Sequence, residues 1–148
     1  MKKYDLDLGE EFDSEYKISD EIGTYKAYKD FTTLECWKLA RKVKLFFYEK
    51  IIPKLPQEEK YNLGNQIRVA AISATANIAE GYGRFHYKES IHFYRISRGS
   101  QFELKDHLIS CFDLKFIENS LLNEGFALLE SSVKSLNGYI RFVQNLIK

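Results

Sequence analysis

Apolar residues recur at helical spacing over four long stretches of the chain. The last stretch shows the period best, because eight apolar residues follow one another at alternating intervals of four and three: Leu122, Phe126, Leu129, Val133, Leu136, Ile140, Val143 and Ile147. Such a heptad repeat places its members along one seam of an α-helix. Together the four stretches predict helices over about residues 32–52, 57–80, 88–116 and 123–147.

The connections between these helices are short, and local signals mark several helix ends. Thr32 to Glu35 fit a capping box at the start of the first helix, Pro53 and Pro56 follow its end, and Gly81 offers a left-handed stop for the second. Short connections between long helices favour antiparallel neighbours. The pattern therefore predicts an all-α fold, an antiparallel up-down four-helix bundle over residues 31–148.

The second helix has no polar face in its middle. Residues 69–76 are small or apolar on every side, and a helix of this kind is buried on more than one side. Four helices are too few to surround one of their own number, so we expect a homo-oligomer. Folding the second and third helices into a hairpin places Gln66 opposite Glu103 and Ala70 opposite Gly99.

Several polar residues also fall on faces of the second and third helices that we expect other helices or subunits to cover. Buried polar groups need hydrogen-bond partners. We therefore predict a structural polar network, either between helices or between subunits, that includes Gln66, Asn77, Glu80, Ser100 and Glu103.

The net charge of +1 conceals an uneven distribution. Residues 1–30 hold five basic and nine acidic residues, a net charge of −4, whereas residues 31–148 hold 17 basic and 12 acidic residues, a net charge of +5. Such asymmetry is typical of an interaction tail or of nucleic-acid contact, although a solubilising arm has the same composition. Apolar residues within the acidic N-terminal extension, residues 1–30, predict that it is partly ordered.

Basic residues of the body cluster on helix faces, and aromatic residues lie between them. The candidate nucleic-acid-binding residues are Lys38, Arg41, Lys42, Lys44, Arg68, Arg84, Lys88, Arg95, Arg98 and Lys105. A basic stripe with aromatic side chains can hold a phosphate backbone and stack bases, but a solvated helix face has the same pattern in one dimension. A symmetric oligomer would concentrate the positive field and so favour a polyanionic partner.

No constellation for catalysis or cofactor binding is present in the sequence. It has no Gly-x-Ser-x-Gly elbow and no phosphate-binding loop, its two cysteines make no disulfide framework, and the Glu-x-x-His of Glu89 and His92 has no second copy. We therefore predict no enzymatic activity, no catalytic residues, no metal and no cofactor. No apolar run is long enough to cross a membrane and the N-terminus does not resemble a signal peptide, so we expect a cytoplasmic protein.

Several motifs of the body resemble those of a known family. They are seven short segments: Leu34–Lys38, Tyr61–Leu63, Gln66–Arg68, the longer stretch Ser73–Arg84, Phe93–Tyr94, Arg98–Ser100 and Glu103–Leu104. They resemble the bacterial intervening-sequence proteins, which are often encoded within insertions in large-subunit ribosomal RNA genes. The same family includes the accessory variability protein of diversity-generating retroelements. The resemblance covers about residues 31–148.

The resemblance implies an up-down four-helix bundle that assembles as a ring-like homopentamer without enzymatic activity. For the retroelement branch it also implies a basic surface that binds nucleic acid and a reverse transcriptase as partner. Two departures bear on nucleic-acid binding: Arg68 is followed by Val69 where the family often has a second arginine, and the acidic arm is not part of the usual pattern.

Two functions are therefore in contention. The first is a non-enzymatic oligomeric bundle that binds RNA or DNA through the basic faces of the first and third helices, with a reverse transcriptase as a further partner. The alternative is a protein–protein interaction scaffold with no nucleic-acid binding.

Overall fold

A computed structural model describes residues 30–84 and 86–148, together with the backbone of two short strands in the N-terminal arm. The strands, β1 (Tyr16–Lys17) and β2 (Lys26–Ala27), pair antiparallel. The rest of the predicted acidic arm lies outside the described residues. Four long helices follow: α1 (Glu35–Phe46), α2 (Leu63–Tyr82), α3 (Tyr87–Asp113) and α4 (Asn119–Asn145).

The four helices form the predicted four-helix bundle. Each helix packs against two others, in the closed order α1, α2, α3, α4 and back to α1, so α1 and α3 occupy opposite corners. Neighbours run antiparallel. Along α3 and α4, for example, Arg98 meets Asn137 and, further on, Leu108 meets Gly125. The backbone of Gly125 packs directly against Leu108 and leaves no room for a Cβ atom there.

The start of α1 differs from the predicted capping box. Asp30 caps a short 3-10 turn, Phe31–Thr33, by accepting hydrogen bonds from the Thr32 backbone N–H at 2.8 Å and from the Thr32 hydroxyl at 2.6 Å. The helix proper begins at Glu35 with no side-chain cap. The Thr32 hydroxyl is therefore engaged with Asp30, two residues before it, and the capping-box prediction is wrong.

The connection from α1 to α2 is longer and more irregular than predicted. After α1 the chain widens into a π-helical turn (Phe47–Ile51) and then forms two 3-10 turns, Ile52–Lys54 and Gln57–Glu59, before α2 begins. The prolines that follow the π-helical turn cannot donate backbone hydrogen bonds, which explains why regular helix does not continue there.

Gly81 does not end α2, although the sequence predicts a stop there. It lies inside the helix and is buried, and a Cβ atom added to it would lie 2.5 Å from Tyr94 Cε1 and 2.9 Å from the Ser90 carbonyl oxygen. Glycine is therefore required for close approach of α3, and α2 continues to Tyr82. The end of α3 is also earlier than predicted, because Lys115 adopts a left-handed conformation (φ 64°) and the Phe116 N–H donates to the Cys111 carbonyl at 2.8 Å.

The apolar core consists of two clusters. The loop-end cluster lies beside the α1–α2 connection and includes Phe47, Ile67 and Leu108, whereas the turn-end cluster lies beside the α2–α3 turn and includes Ile78 and Tyr94. Between them along the helices lies a buried polar layer made of Thr75 on α2, Ser97 and Gln101 on α3, and Ser132 on α4. The core is thus interrupted by polar side chains at mid-height.

Two side-chain atoms of this polar layer lack hydrogen-bond partners among the described residues. The Ser97 hydroxyl donates to the Ala74 carbonyl at 2.6 Å and accepts from Gln101 Nε2 at 3.4 Å. Gln101 Oε1 and Ser132 Oγ are buried and unpaired. An unsatisfied buried polar atom costs about 1–3 kcal/mol, so the layer is an energetic weakness of the fold.

Candidate functional site

The basic face predicted on α3 borders α4. Arg98 Nη1 donates to Asn137 Oδ1 across the two helices at 2.8 Å, and Lys105 Nζ lies 5.3 Å from the centroid of the Phe126 ring. Lys88 and Arg95 continue the same face and are exposed. The spacing of these basic residues in the sequence therefore corresponds to a real surface of the bundle.

Helix α4 completes this surface with two basic residues that the sequence analysis missed, Lys134 and Arg141. Together with α3 they line a groove of about 480 Å³, here called the α3–α4 groove, whose lining residues are Gln101, Phe102, Lys105, Phe126, Leu129, Glu130, Val133, Lys134, Asn137 and Arg141. Three of these residues are basic and one is acidic. Lys134 and Arg141 are seven residues apart, and this heptad spacing could have placed them on one face of α4.

Two phenylalanines give the α3–α4 groove an aromatic lining. Phe102 is 55% exposed although it is large and apolar, and Phe126 is half-buried beneath Lys105. Exposed aromatic rings beside basic side chains can stack planar groups while the cations neutralise attached anions. The groove therefore has the chemistry to hold an aromatic anion.

The basic residues predicted on α1 do not join this surface. Because α1 and α3 occupy opposite corners of the bundle, their exposed faces point away from each other. Lys42 is exposed and Lys38 and Arg41 are half-buried, but Lys44 turns towards α2, where its Nζ lies 3.4 Å from Thr75 Oγ1. Burial, and then the nearby charge of Arg41, lowers the pKa of Lys44 from its ordinary value. The predicted α1 and α3 faces are thus two separate surfaces.

Arg68 and Arg84 are both engaged in local contacts. Arg68 Nη1 donates to the Lys60 carbonyl at 2.8 Å and to Asn65 Oδ1 at 3.0 Å. The bond to Lys60 ties α2 to the connection that precedes it.

Arg84 holds the α2–α3 turn together. Its guanidinium pairs with Glu80 at 2.5 Å and with Glu89 at 3.0 Å, and it lies 4.6 Å from the centroid of the Phe93 ring. Two carboxylates neutralise this arginine locally, so it adds little positive field for an external anion.

The predicted polar network is present only in part within the chain. Ser100 shares a 2.7 Å hydrogen bond with Ser73, whose Oγ also accepts from Asn77 Nδ2 at 2.8 Å. The other three predicted members are exposed. Glu80 pairs with Arg84, Glu103 pairs with His107, and Gln66 shares a surface depression with Glu103, as folding the hairpin predicts.

An apolar strip on the outer face of α2, here called the α2 strip, is exposed in the single chain. It consists of Val69 (71% exposed), Ile72 (51% exposed) and Ala76. Gly99 on the adjacent α3 is exposed too, and a Cβ atom added to it would meet no atom within 4 Å. The apolar middle of α2 is therefore covered by the chain's own helices on one side only.

The side chains most suited to nucleophilic or metal chemistry form no site. Cys36 and Cys111 are buried free thiols, and burial raises their pKa values to about 12 and about 11. Across residues 30–84 and 86–148, no three His, Cys, Asp or Glu side chains come together in a metal-binding arrangement. No helix within the described part of the chain has the length and apolar character needed to span a membrane.

The bundle and its groove define a class of protein: a small four-helix bundle with a basic, aromatic-lined groove along one edge. Residues 32–138 match the family described as 23S rRNA-intervening sequence protein. Since the match covers well over half of the chain, the protein belongs to that family. No curated protein matches the chain.

Proposed function

We propose that the protein is a non-enzymatic nucleic-acid-binding bundle that holds RNA or DNA on its α3–α4 side. The observation that carries the proposal is the α3–α4 groove, which Lys105, Lys134 and Arg141 line together with two phenylalanines. The name of the family refers to ribosomal RNA, which is consistent with a nucleic-acid partner.

The physical basis is release of counterions from the nucleic acid. Each lysine or arginine that neutralises a phosphate displaces a condensed cation, so affinity falls steeply as salt concentration rises. The body has a net charge of +5 over residues 31–148. The α3–α4 groove concentrates part of this charge beside surfaces on which bases can stack.

We further propose that the protein acts as a homo-oligomer, with the α2 strip as subunit interface. An apolar helix face exposed in a single chain is typical of an interaction surface, and the small residue Gly99 beside it would permit close approach of a second copy. The resemblance to the intervening-sequence proteins gives a pentameric ring as the expected assembly. A ring would repeat the α3–α4 groove around an axis and strengthen the positive field.

The test is binding of fluorescent single-stranded RNA and DNA, measured by anisotropy over a range of salt concentrations. The variant Lys105→Ala/Lys134→Ala/Arg141→Ala should lose most of the affinity at low salt. It should also reduce the slope of log K against log salt by about 2, because three phosphate contacts are removed at about 0.7 each.

The matched control removes the same charge from the opposite corner of the bundle, with the variant Lys38→Ala/Arg41→Ala/Lys42→Ala. It should retain most of the affinity. Equal losses of affinity in the two triple variants would show that net charge alone governs binding. Absence of binding by the wild-type protein would refute the proposed function.

The exposed α2 strip also favours a second candidate, a protein-interaction scaffold that binds no nucleic acid. A reverse transcriptase is the partner that the retroelement branch of the family suggests. This candidate predicts that the wild-type protein oligomerises and captures a protein partner while the anisotropy of the labelled nucleic acids does not change.

A further inference from the structure

The side chain of Gln101 presents an unusual combination of burial and unmet hydrogen bonding. It is completely buried, yet it lines the α3–α4 groove. Its Nε2 makes only a long hydrogen bond, 3.4 Å, to Ser97 Oγ, and its Oε1 has no hydrogen-bond partner among the described residues.

Rotating the amide by 180° does not remove the problem. The single hydroxyl proton of Ser97 is already donated to the Ala74 carbonyl at 2.6 Å, so Ser97 Oγ can only accept from Gln101. A rotated amide would place Oε1 against an oxygen that has no proton to give. The contacts of Ser97 therefore hold the amide with its oxygen unpaired among the described residues, so Gln101 Oε1 remains available to a hydrogen-bond donor.

We propose that the α3–α4 groove is a pocket for one unpaired nucleobase of a single-stranded nucleic acid. The base stacks on Phe102 and its phosphates lie against Lys134 and Arg141. Because Gln101 is completely buried in the free protein, the side chains over it move aside on binding, and an N–H group of the base edge then donates to Gln101 Oε1. This inference rests on the proposed function and deepens it, because it assigns a partner to each kind of side chain that lines the groove.

The size and composition of the groove fit this occupant. A volume of about 480 Å³ lies within the range of about 300–1,000 Å³ that is typical of pockets for small organic molecules. Every nucleobase has a flat face for an aromatic ring, and each natural base carries at least one N–H group on its pairing edge. In a duplex that edge is already paired and the faces are stacked, so only an unpaired base can enter.

The experiment measures anisotropy with three labelled probes of equal length on the full-length protein. They are a single strand, the same single strand with abasic sites, and a duplex. The wild-type protein should bind the single strand about 50- to 1,500-fold more tightly than the abasic strand, which has the same phosphates but lacks bases, since the stack contributes about 5- to 150-fold and the hydrogen bond about tenfold. It should also bind the single strand more tightly than the duplex.

Two variants locate the contact. Phe102→Ala should weaken single-strand binding by about 5- to 150-fold, the range for loss of one base stack, and should leave abasic-strand binding unchanged. Phe112→Ala, which removes another exposed ring of α3 outside the groove, is the matched control and should bind like the wild type.

Gln101→Leu separates recognition from stability. The substitution removes the unpaired oxygen, so the unfolding midpoint should be unchanged or higher while affinity for the base-containing strand falls about tenfold. A merely structural role for Gln101 would instead lower the midpoint and leave the ratio of single-strand to abasic-strand affinity unchanged.

The outcomes distinguish this inference from the proposed function. If the three probes bind equally and Phe102→Ala behaves like Phe112→Ala, the base pocket is refuted while nucleic-acid binding stands. If no probe binds, the inference and the proposed function are both refuted.

Discussion

At the scale of single residues, the polar layer in the middle of the core contains two serines in opposite situations. Ser97 is fully buried and has its hydroxyl used twice, as donor to Ala74 and as acceptor from Gln101. Ser132 is equally buried, but its hydroxyl has no partner among the described residues. The effect of removing a hydroxyl on the free energy of unfolding therefore depends on the hydrogen bonds that the hydroxyl makes, and burial alone does not predict it.

The first prediction compares these two serines. Ser132→Ala should leave the free energy of unfolding unchanged or raise it by up to about 1 kcal/mol, because an unsatisfied oxygen is removed. Ser97→Ala should lower it by about 1–3 kcal/mol, because Gln101 Nε2 loses its acceptor and the Ala74 carbonyl loses the donor it has beyond the helix hydrogen bond. Urea unfolding measures both changes. Equal losses of unfolding free energy in the two variants would contradict the assignment of hydrogen bonds in the polar layer.

Residue-scale chemistry was also where the sequence was least informative. A glycine near the end of an apolar stretch commonly ends a helix, yet Gly81 serves the close approach of Tyr94 instead. Thr32 fits a capping motif but bonds to Asp30, a residue two positions before that motif. In both cases a local signal is compatible with several structures: the packing of α3 decides the outcome at Gly81, and the nearby Asp30 carboxylate decides it at Thr32.

At the scale of elements, the sequence predicted all four helices because their periodicity extends over several turns. Most of the predicted seam of α4 is buried, with Leu129, Leu136 and Val143 all nearly inaccessible. Phe126 and Val133 are only half-buried and line the α3–α4 groove, and Ile147 lies beyond the end of the helix and is exposed. The predicted basic face of α3 is also present. The contribution of Lys134 and Arg141 could not be inferred in the same way, because the one-dimensional pattern does not state which face of α4 lies beside α3.

The second prediction concerns the α2 strip as a subunit interface. Val69→Glu/Ile72→Glu should break the assembly, since both side chains are more than half exposed in the chain and would bring charge into an apolar contact. Light scattering should then report a mass near the 17.4 kDa of one chain, while circular dichroism shows unchanged helix content.

The matched control for this assembly prediction is Leu114→Glu. It places the same charge on a leucine that is 56% exposed at the end of α3. Its mass should equal that of the wild-type assembly. An unchanged mass for the α2 double variant would place the interface elsewhere, and a monomeric wild type would refute the oligomer itself.

At the scale of the whole molecule, the two buried thiols link stability to pH. Burial raises the pKa of Cys36 to about 12 and that of Cys111 to about 11, from an ordinary value of 9.0. Above pH 9 the unfolded chain releases these protons and the folded chain keeps them, so the unfolded state is favoured as pH rises. The free energy of unfolding therefore falls between pH 9 and the folded-state pKa values.

The third prediction follows from this linkage. Between pH 8 and pH 10 each thiol should cost about 1.4 kcal/mol of stability, so Cys36→Ala/Cys111→Ala should lose about 3 kcal/mol less than the wild type over that interval. Urea unfolding at the two pH values measures the difference. The lowered pKa of Lys44 acts in the opposite direction in both proteins and cancels in the comparison. Equal losses of unfolding free energy in the wild type and the double variant would contradict the burial of the thiols.

The polar layer also has a consequence for the cooperativity of unfolding. It divides the apolar contacts into the loop-end and turn-end clusters, so each end of the bundle has its own set of stabilising contacts and amide hydrogen exchange can proceed by partial opening of one end. The α3–α4 groove extends past the layer, from Phe126 to Arg141. A ligand that fills the groove would bridge the two ends of the bundle. Both ends would then open together, in a single cooperative step.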